Sequence, residues 1–269
     1  MIEITSSQNK WIKLARSLGT KKNREKEQKF LLEGLRTVTL AIETGQKCHA
    51  ILVSSDVSTH IEKTFEFDEI AQVYSVETAL FKEISHTENS QGVIGIMSSP
   101  EKMSEEAFLE ILKEKKITSL IMLDRLQDPG NMGTVIRTAD AAGFSYVILN
   151  KGCVDVYNDK VVRSTVGSIL NVRFVETEHP LALINKLKSL GYNIVVTSLR
   201  DSKDYKEDDN YSEKNCLVIG NEANGVSEDL IVAADVCVKI PIFGKAESLN
   251  AAVAAGIMMY RITDKSSSR

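Results

Sequence analysis

Asp128-Pro-Gly-Asn-Met-Gly-Thr-Val-Ile-Arg137 stands a few residues after an apolar run at 119–123, and the arrangement recurs twice nearer the end of the chain. Cys216-Leu-Val-Ile-Gly220 runs into Asn221-Glu-Ala-Asn-Gly225, and the run ending at Ile240-Pro241 leads into Ile-Phe-Gly-Lys-Ala-Glu-Ser-Leu-Asn250. Gly, Pro and Asn directly beside a hydrophobic run are how an α/β protein builds ligand loops at the carboxyl ends of its strands. Around these loops strand and helix patterns alternate. Apolar strands are expected at 119–123, 146–149, 173–176, 193–197, 216–220 and 236–241, with helical periodicity at 134–142, 160–170, 181–190 and 249–262. That alternation predicts a mostly parallel sheet covered by helices.

On pattern alone this half reads as a Rossmann-like nucleotide-binding domain. A nicotinamide-dependent oxidoreductase would need a glycine-rich strand-to-helix turn and an acidic residue about 20 positions later. Gly130-Asn-Met-Gly133 has the wrong glycine spacing, which disfavours that class.

Toward the N-terminus, residues 6–45 read as two helical segments, the first with Trp11, Leu14 and Leu18 on one face and the second with Phe30, Leu31, Leu35, Val38 and Ala41, their ends marked by Gly19 and Gly45. Apolar stretches at 50–54, 72–76 and 92–97 with a helical pattern at 75–85 predict a small α/β sandwich. Residues 101–116, with Phe108, Ile111 and Leu112 at helical spacing, read as a bridging helix rather than a flexible linker. The expected division is 1–98, a bridge at 99–116, and 117–269. The polar tail 265–269 reads as disordered.

The chain of 269 residues is 43% hydrophobic and 26% charged, ordinary for a soluble globular protein of two domains. No apolar run approaches the roughly 20 residues that span a bilayer, and the start is not a signal sequence, so a cytoplasmic protein with no membrane association is expected. Cys48, Cys153, Cys216 and Cys237 lack paired spacing and the histidines stand at 49, 60, 86 and 179, so neither a zinc site nor a disulfide framework is indicated. The net charge of −4 argues mildly against nucleic acid, but residues 10–36 carry nine Lys or Arg against three Glu, leaving −10 for the remainder. Such a run is either a solvated helical face or an RNA contact.

The three loops, in this order and spacing, resemble the SpoU (TrmH) family of RNA 2'-O-methyltransferases, a branch of the SPOUT superfamily. The resemblance rests on Pro129, Asn131, Gly133 and Arg137, on Gly220, Glu222 and Gly225, and on Pro241, Ser248, Leu249 and Asn250, over roughly residues 117–262. A weaker likeness at Phe30-Leu-Leu-Glu-Gly34 and Gln91-Gly-Val-Ile-Gly95 suggests the family's small RNA-substrate-binding domain, similar to ribosomal-protein kink-turn binders. The resemblance implies a SPOUT-type parallel sheet with a deep trefoil knot, an exception to unknotted topology, and a homodimer. Beside these motifs, the basic segment is read as an RNA contact.

It further implies transfer of a methyl group from S-adenosyl-L-methionine to a ribose 2'-hydroxyl of structured RNA, with no metal. Ribosomal RNA and guanosine are the preferred substrate; a transfer-RNA substrate, or a catalytically silent RNA-binding protein of the same fold, are the alternatives. Arg137, Asn131, Glu222, Ser248 and Asn250 are the candidate catalytic residues, with Thr197, Gly220, Ile240 and Leu249 around the cofactor. Arginine has been suggested as the base in this family, but a guanidinium holds its proton above about pH 12. Arg137 is therefore expected to clamp an RNA phosphate and the attacking oxygen, with a plain salt bridge to Asp140 as the structural alternative. By local chemistry Asn131 and Ser248 could each cap the helix that follows it. Glu222 could hold Asn or Arg side chains, contact the nucleoside, or cap a helix starting near Ser227. The helix from Leu249 is too apolar for a face that meets only water and needs cover on most sides.

Overall fold

Two sheets organise the chain, one mixed and one parallel. The structure, a computed structural model, describes residues 1–64, 72–87, 89–199 and 202–267. It divides into a smaller unit, Met1–Glu101 with Asp155–Leu170, and a larger one, Lys102–Val154 with Asn171–Arg269.

In the smaller unit five strands, β1 (Ile2–Ile4), β2 (Lys29–Glu33), β3 (Cys48–Ser54), β4 (Val73–Val76) and β5 (Val93–Ser98), form one sheet in the order β1-β4-β3-β5-β2. β1, β4 and β3 run parallel, while β5 is antiparallel to both β3 and β2. The expected second N-terminal helix is therefore only partly a helix. Phe30 and Leu31 lie in β2, paired with Met97 and Ile96, and the helix itself is Leu35–Glu43. The short apolar run Phe30-Leu31-Leu32 satisfies a strand as well as a helix face. Gly34 at φ +106° then breaks the chain between the two, in a region closed to residues with a Cβ.

Helix Lys10–Ser17 buries Ile12 and Ala15 and, with Leu18 beyond its end, packs against Leu52, Tyr74, Phe81 and Ile96, while Trp11 and Leu14 are only partly covered. Arg24, one of the nine basic residues, is 5% exposed: Nη2 and Nε donate to Asp155 at 2.6 and 3.0 Å, and Nη1 to the Leu18 carbonyl at 2.7 Å. Its charge is spent inside the unit. The expected helix 160–170 stops at Thr165, where Val166 turns left-handed at φ +50°, and a single 3₁₀ turn follows at Ser168–Leu170.

The larger unit holds seven parallel strands, β6 (Ser119–Leu123), β7 (Tyr146–Asn150), β8 (Arg173–Thr177), β9 (Asn193–Thr197), β10 (Lys203–Asp204), β11 (Asn215–Ile219) and β12 (Val236–Lys239). Their order is β10-β12-β9-β11-β6-β7-β8. β6, β7 and β11 are buried along their whole length, which is why they read as unbroken apolar runs. Phe108 and Leu112 of helix Glu105–Glu114 join Tyr146, Ile148, Leu183 and Leu187 in this unit's core. The helix expected as a bridge is thus an integral layer of the larger unit.

Helix Ala251–Ser267 packs on helix Pro129–Ala141, with Gly256 where a Cβ would meet the Thr138 methyl at 3.5 Å, and Thr263 donating to the Ala142 carbonyl at 2.9 Å. It runs through the expected disordered tail, since Lys265 pairs with Asp208; residues 268 and 269 lie outside the described residues. Among the described residues all four cysteines are free, and no helix is long and apolar enough to cross a membrane.

Candidate active site

The loops after β6, β11 and β12 meet at the carboxyl end of the sheet. After β11, Asn221 and Gly225 exchange backbone hydrogen bonds of 3.0 and 2.9 Å, and the Asn221 side-chain oxygen accepts from the N–H groups of Ala223 and Asn224. The turn folds back over Gly220 so closely that a Cβ there would lie 2.1 Å from the Gly225 carbonyl carbon and the Val226 nitrogen. Glycine is the one residue that fits.

Asp128, not Asn131, caps helix Pro129–Ala141: its carboxylate accepts from the Asn131 N–H at 2.8 Å, and Pro129 occupies the first position, where no N–H is needed. Asn131 therefore sits inside the first turn with its amide free for other contacts. That amide donates to Glu222 Oε1 at 3.1 Å, and its oxygen accepts from the Asn250 amide at 2.8 Å. Glu222 also accepts from the Asp128 N–H at 2.9 Å and the Gln127 N–H at 3.2 Å. Burial alone would raise its pKa, but these hydrogen bonds outweigh it and hold the carboxyl below its ordinary value. Of the contacts expected for Glu222, the one to an Asn side chain is present, with Asn131.

Asn250 uses its other end locally. Its Oδ1 accepts from the N–H groups of Ala252 and Val253 at 2.9 and 3.2 Å, so Asn250 caps the last helix. Ser248 is not the cap: the helix begins two residues later than that reading required, at Ala251. Ser248 instead lines a cavity of about 420 Å³, within the size range of small-molecule sites. Thr197, Gly220, Ile240 and Leu249 line it too, with Glu222 at its edge of the loop after β11.

Arg137 is placed differently. It is exposed on helix Pro129–Ala141, lies outside the cavity lining, and makes no hydrogen bond or ion pair among the described residues. The expected alternative partner, Asp140, accepts from the Asn171 amide at 3.0 Å instead. The sequence reading passed over Asp124 and Asp128. A lone carboxylate closing a wholly apolar strand, and an Asp-Pro pair opening a helix, were the signals available for them. Among the described residues no group of three or more His, Cys, Asp or Glu could hold a metal ion.

A doubly wound sheet carries its ligand where the strand order reverses. Here the loops after β6 and β11 fill that place with hydrogen bonds, and the cavity opens to one side, among β9, β11 and β12. Its walls combine the glycine backbone of Gly220 and Gly225 and apolar side chains such as Leu199, Ile219, Ile240 and Leu249 with the polar side chains of Asn221, Glu222, Asn224, Glu228 and Lys239, and Thr197 donates to the Val218 carbonyl at 3.3 Å. Such walls fit an adenine ring held by apolar contact and main-chain polar groups.

Residues 118–260 match the SpoU rRNA Methylase family, and residues 9–95 match the MRM3-like substrate binding domain. The 23S rRNA (guanosine(2553)-2'-O)-methyltransferase RlmP of Bacillus subtilis (strain 168) is 34% identical over 97% of this chain and 99% of its own. The AdoMet-bound rRNA methyltransferase of Sinorhizobium meliloti is 32% identical over 97% of both chains, with a TM-score of 0.80. The SpoU methyltransferase AviRb of Streptomyces viridochromogenes, in complex with AdoMet, superposes with a TM-score of 0.81 at 26% identity, over 96% of this chain and 98% of that one.

Proposed function

The chain belongs to the SpoU rRNA methylase family, and from that premise we propose that it methylates the ribose 2'-hydroxyl of a guanosine in 23S ribosomal RNA, using S-adenosyl-L-methionine. The observation that carries the reading is the meeting of Asn131, Glu222 and Asn250 beside the cavity that Thr197, Gly220, Ile240 and Leu249 line. S-adenosylmethionine bound there would supply the sulfonium methyl to which the ribose oxygen bonds, with the thioether S-adenosylhomocysteine as the leaving group.

The protein's part is to hold the alcohol and its proton. An alcohol is a poor nucleophile, so groups that stabilise the developing oxyanion or take up its proton lower the barrier. Arg137, with its planar guanidinium, clamps an RNA phosphate and the attacking oxygen, and the proton leaves through phosphate or water. Glu222 and Asn250 fix the Asn131 amide between them, so the site is set before RNA arrives. Ser248, free of any cap duty, faces the same space.

Two copies make the working unit. Val253 and Tyr260 of the last helix are about half exposed, an apolar side that a second copy would cover. That copy would bring an Arg137 to a cavity whose own Arg137 lies outside it. A trefoil knot is supported by β12, last in sequence, being inserted between β9 and β10, and by residues 248–254 returning to line the cavity with turn 221–225. Residues 9–95 serve as the RNA-gripping domain, and a ribosomal substrate argues for the cytoplasm.

The test is transfer of labelled methyl from S-adenosylmethionine to ribosomal and transfer RNA from cells lacking this protein. Label confined to 23S RNA, at a guanosine ribose, is the expected result. Label entering transfer RNA alone would move the substrate, and no label in any RNA would refute the reading.

A further inference from the structure

Asp124 closes β6 and is 3% exposed, yet none of the chemistry above uses it. Its Oδ1 accepts from Arg125 Nε at 3.2 Å and from the Asn150 amide at 3.2 Å; its Oδ2 accepts from Arg125 Nη2 at 3.0 Å and from the Ser227 N–H at 2.8 Å. Burial pushes its pKa up, but the Arg125 guanidinium, the Ser227 N–H and the Asn150 amide outweigh this and keep it ionised. One carboxylate thus ties the end of β6 to the end of β7 and to Ser227, two residues beyond the Asn221–Gly225 turn.

Arg125, next along, has φ +58°, a left-handed conformation that a residue with a Cβ keeps only when its surroundings hold it. Three hydrogen bonds hold it here. Asp124 grips the guanidinium from one side, and the Arg125 carbonyl accepts from the Asn221 amide at 2.8 Å on the other. This left-handed step turns the chain after β6 so that the Gln127 and Asp128 N–H groups reach Glu222, and Asn131 follows on the helix they open.

We propose that Asp124 is a positioning residue for methyl transfer, fixing Arg125 in its left-handed turn so that Glu222 and Asn131 meet. The inference rests on the reading that these two belong to the active site. Its chemistry is specific: an ionised acceptor shared by a bidentate guanidinium and two neutral donors, which an isosteric carboxamide cannot replace, because an amide offers one oxygen for four donor hydrogens.

The experiment is Asp124→Asn in the full chain, with amide hydrogen exchange followed residue by residue alongside methyl-transfer kinetics. Exchange at Gln127 and Asp128 is expected to quicken about tenfold or more while the β7 and β9 amides stay within about twofold, a local opening rather than a global one. Turnover is expected to fall about tenfold or more with the dissociation constant for S-adenosylmethionine changed less than about threefold, because Asp124 and Arg125 bear on the cavity through Asn221 and Ser227, while Thr197, Ile240, Ser248 and Leu249 share no hydrogen bond with them among the described residues. Unchanged exchange at Gln127 and Asp128, or a loss of protection spread evenly over the larger unit, would overturn the proposal. If Asp124→Asn does not fold, Arg125→Gln at a half-exposed position is expected to give the same local pattern, and wild-type exchange in it overturns the proposal equally. A wild-type protein that transfers no methyl would sink the functional reading alone, since the exchange result judges Asp124 without it.

Discussion

Glu222 and Asn131, 91 residues apart in sequence, meet through a 3.1 Å hydrogen bond, and Asn250 reaches the other end of the same Asn131 amide at 2.8 Å. The Asn131 amide thereby joins all three loops of the site, with Glu222 from the loop after β11 at one end and Asn250 at the other. In Glu222→Gln, one of the two oxygens becomes an NH₂ group facing donors. At least one of the Gln127 and Asp128 N–H groups is then left without an acceptor, which costs roughly 1 kcal/mol at a partly solvated position. The expected outcome is a small fall in Tm with a fall in methyl transfer of about tenfold or more. Thermal unfolding and single-turnover transfer on the same preparation check it, and full activity in Glu222→Gln would refute the holding role.

Arg137 gives the opposite balance. It is exposed and without a partner among the described residues, so Arg137→Ala and Arg137→Lys are expected to leave stability within about 0.5 kcal/mol. Transfer should nevertheless fall sharply in both, since lysine cannot reproduce a planar bidentate contact. A lysine variant with unchanged turnover would remove Arg137 from the chemistry.

How much of this was legible beforehand depended on whether the information was local. β6, β7, β9 and β11 are buried runs flanked by turn residues, and periodicity placed them to within a residue or so. The four residues expected around the cofactor do line one cavity: Thr197, Gly220 and Ile240 stand at strand ends, where an α/β sheet exposes its loops, and Leu249 stands just before the last helix. Local chemistry failed where two equivalent groups compete: Asp128 took the cap that Asn131 could have made, and Asn250 took the one open to Ser248. β2 was misread as helix because a three-residue apolar run satisfies both periods, and its partner β5 lies more than 60 residues away. Arg24 belongs to a basic run in sequence, yet Asp155, 131 residues on, takes up its charge inside the unit.

Gly220→Ala tests the close approach of the Asn221–Gly225 turn. The added methyl would meet backbone atoms at 2.1 Å, and backbone cannot swing aside as a side chain can. A loss of roughly 1–3 kcal/mol or more is expected from such overpacking. Because the turn also walls the cavity, S-adenosylmethionine binding should weaken with it. Calorimetric titration and thermal unfolding are the measurements, and wild-type affinity in Gly220→Ala would show that the turn has room to move.

The basic segment yields a prediction about salt. Arg24 is withdrawn by Asp155, and Arg16 is paired with Glu83, whereas Lys10, Lys13 and Lys22 remain exposed. Replacing those three with Gln should flatten the dependence of log affinity on log salt by about 0.7–0.9 for each phosphate no longer neutralised. Affinity for S-adenosylmethionine should not change. An unaltered salt slope would mean that these lysines face only water and that other residues neutralise the RNA phosphates.

Acid should dismantle the junction in a defined window. Glu222 is held below its ordinary value of 4.5 by hydrogen bonds to its ionised form, so the folded protein binds its proton less readily than the unfolded chain does. For a depressed carboxyl the stabilisation is complete above the unfolded value and is lost as pH falls through the folded one. Asp124, depressed from 3.8, behaves in the same sense and adds its loss lower still. The difference in Tm between the wild type and Glu222→Gln is therefore expected to be flat from neutrality down to about pH 4.5 and to shrink below it. A difference that shrank between pH 8 and 5 would point to another titrating group at the junction. None is available there among the residues that contact Glu222, since Gln127, Asn131 and Asn221 do not ionise and Asp128 contributes its N–H.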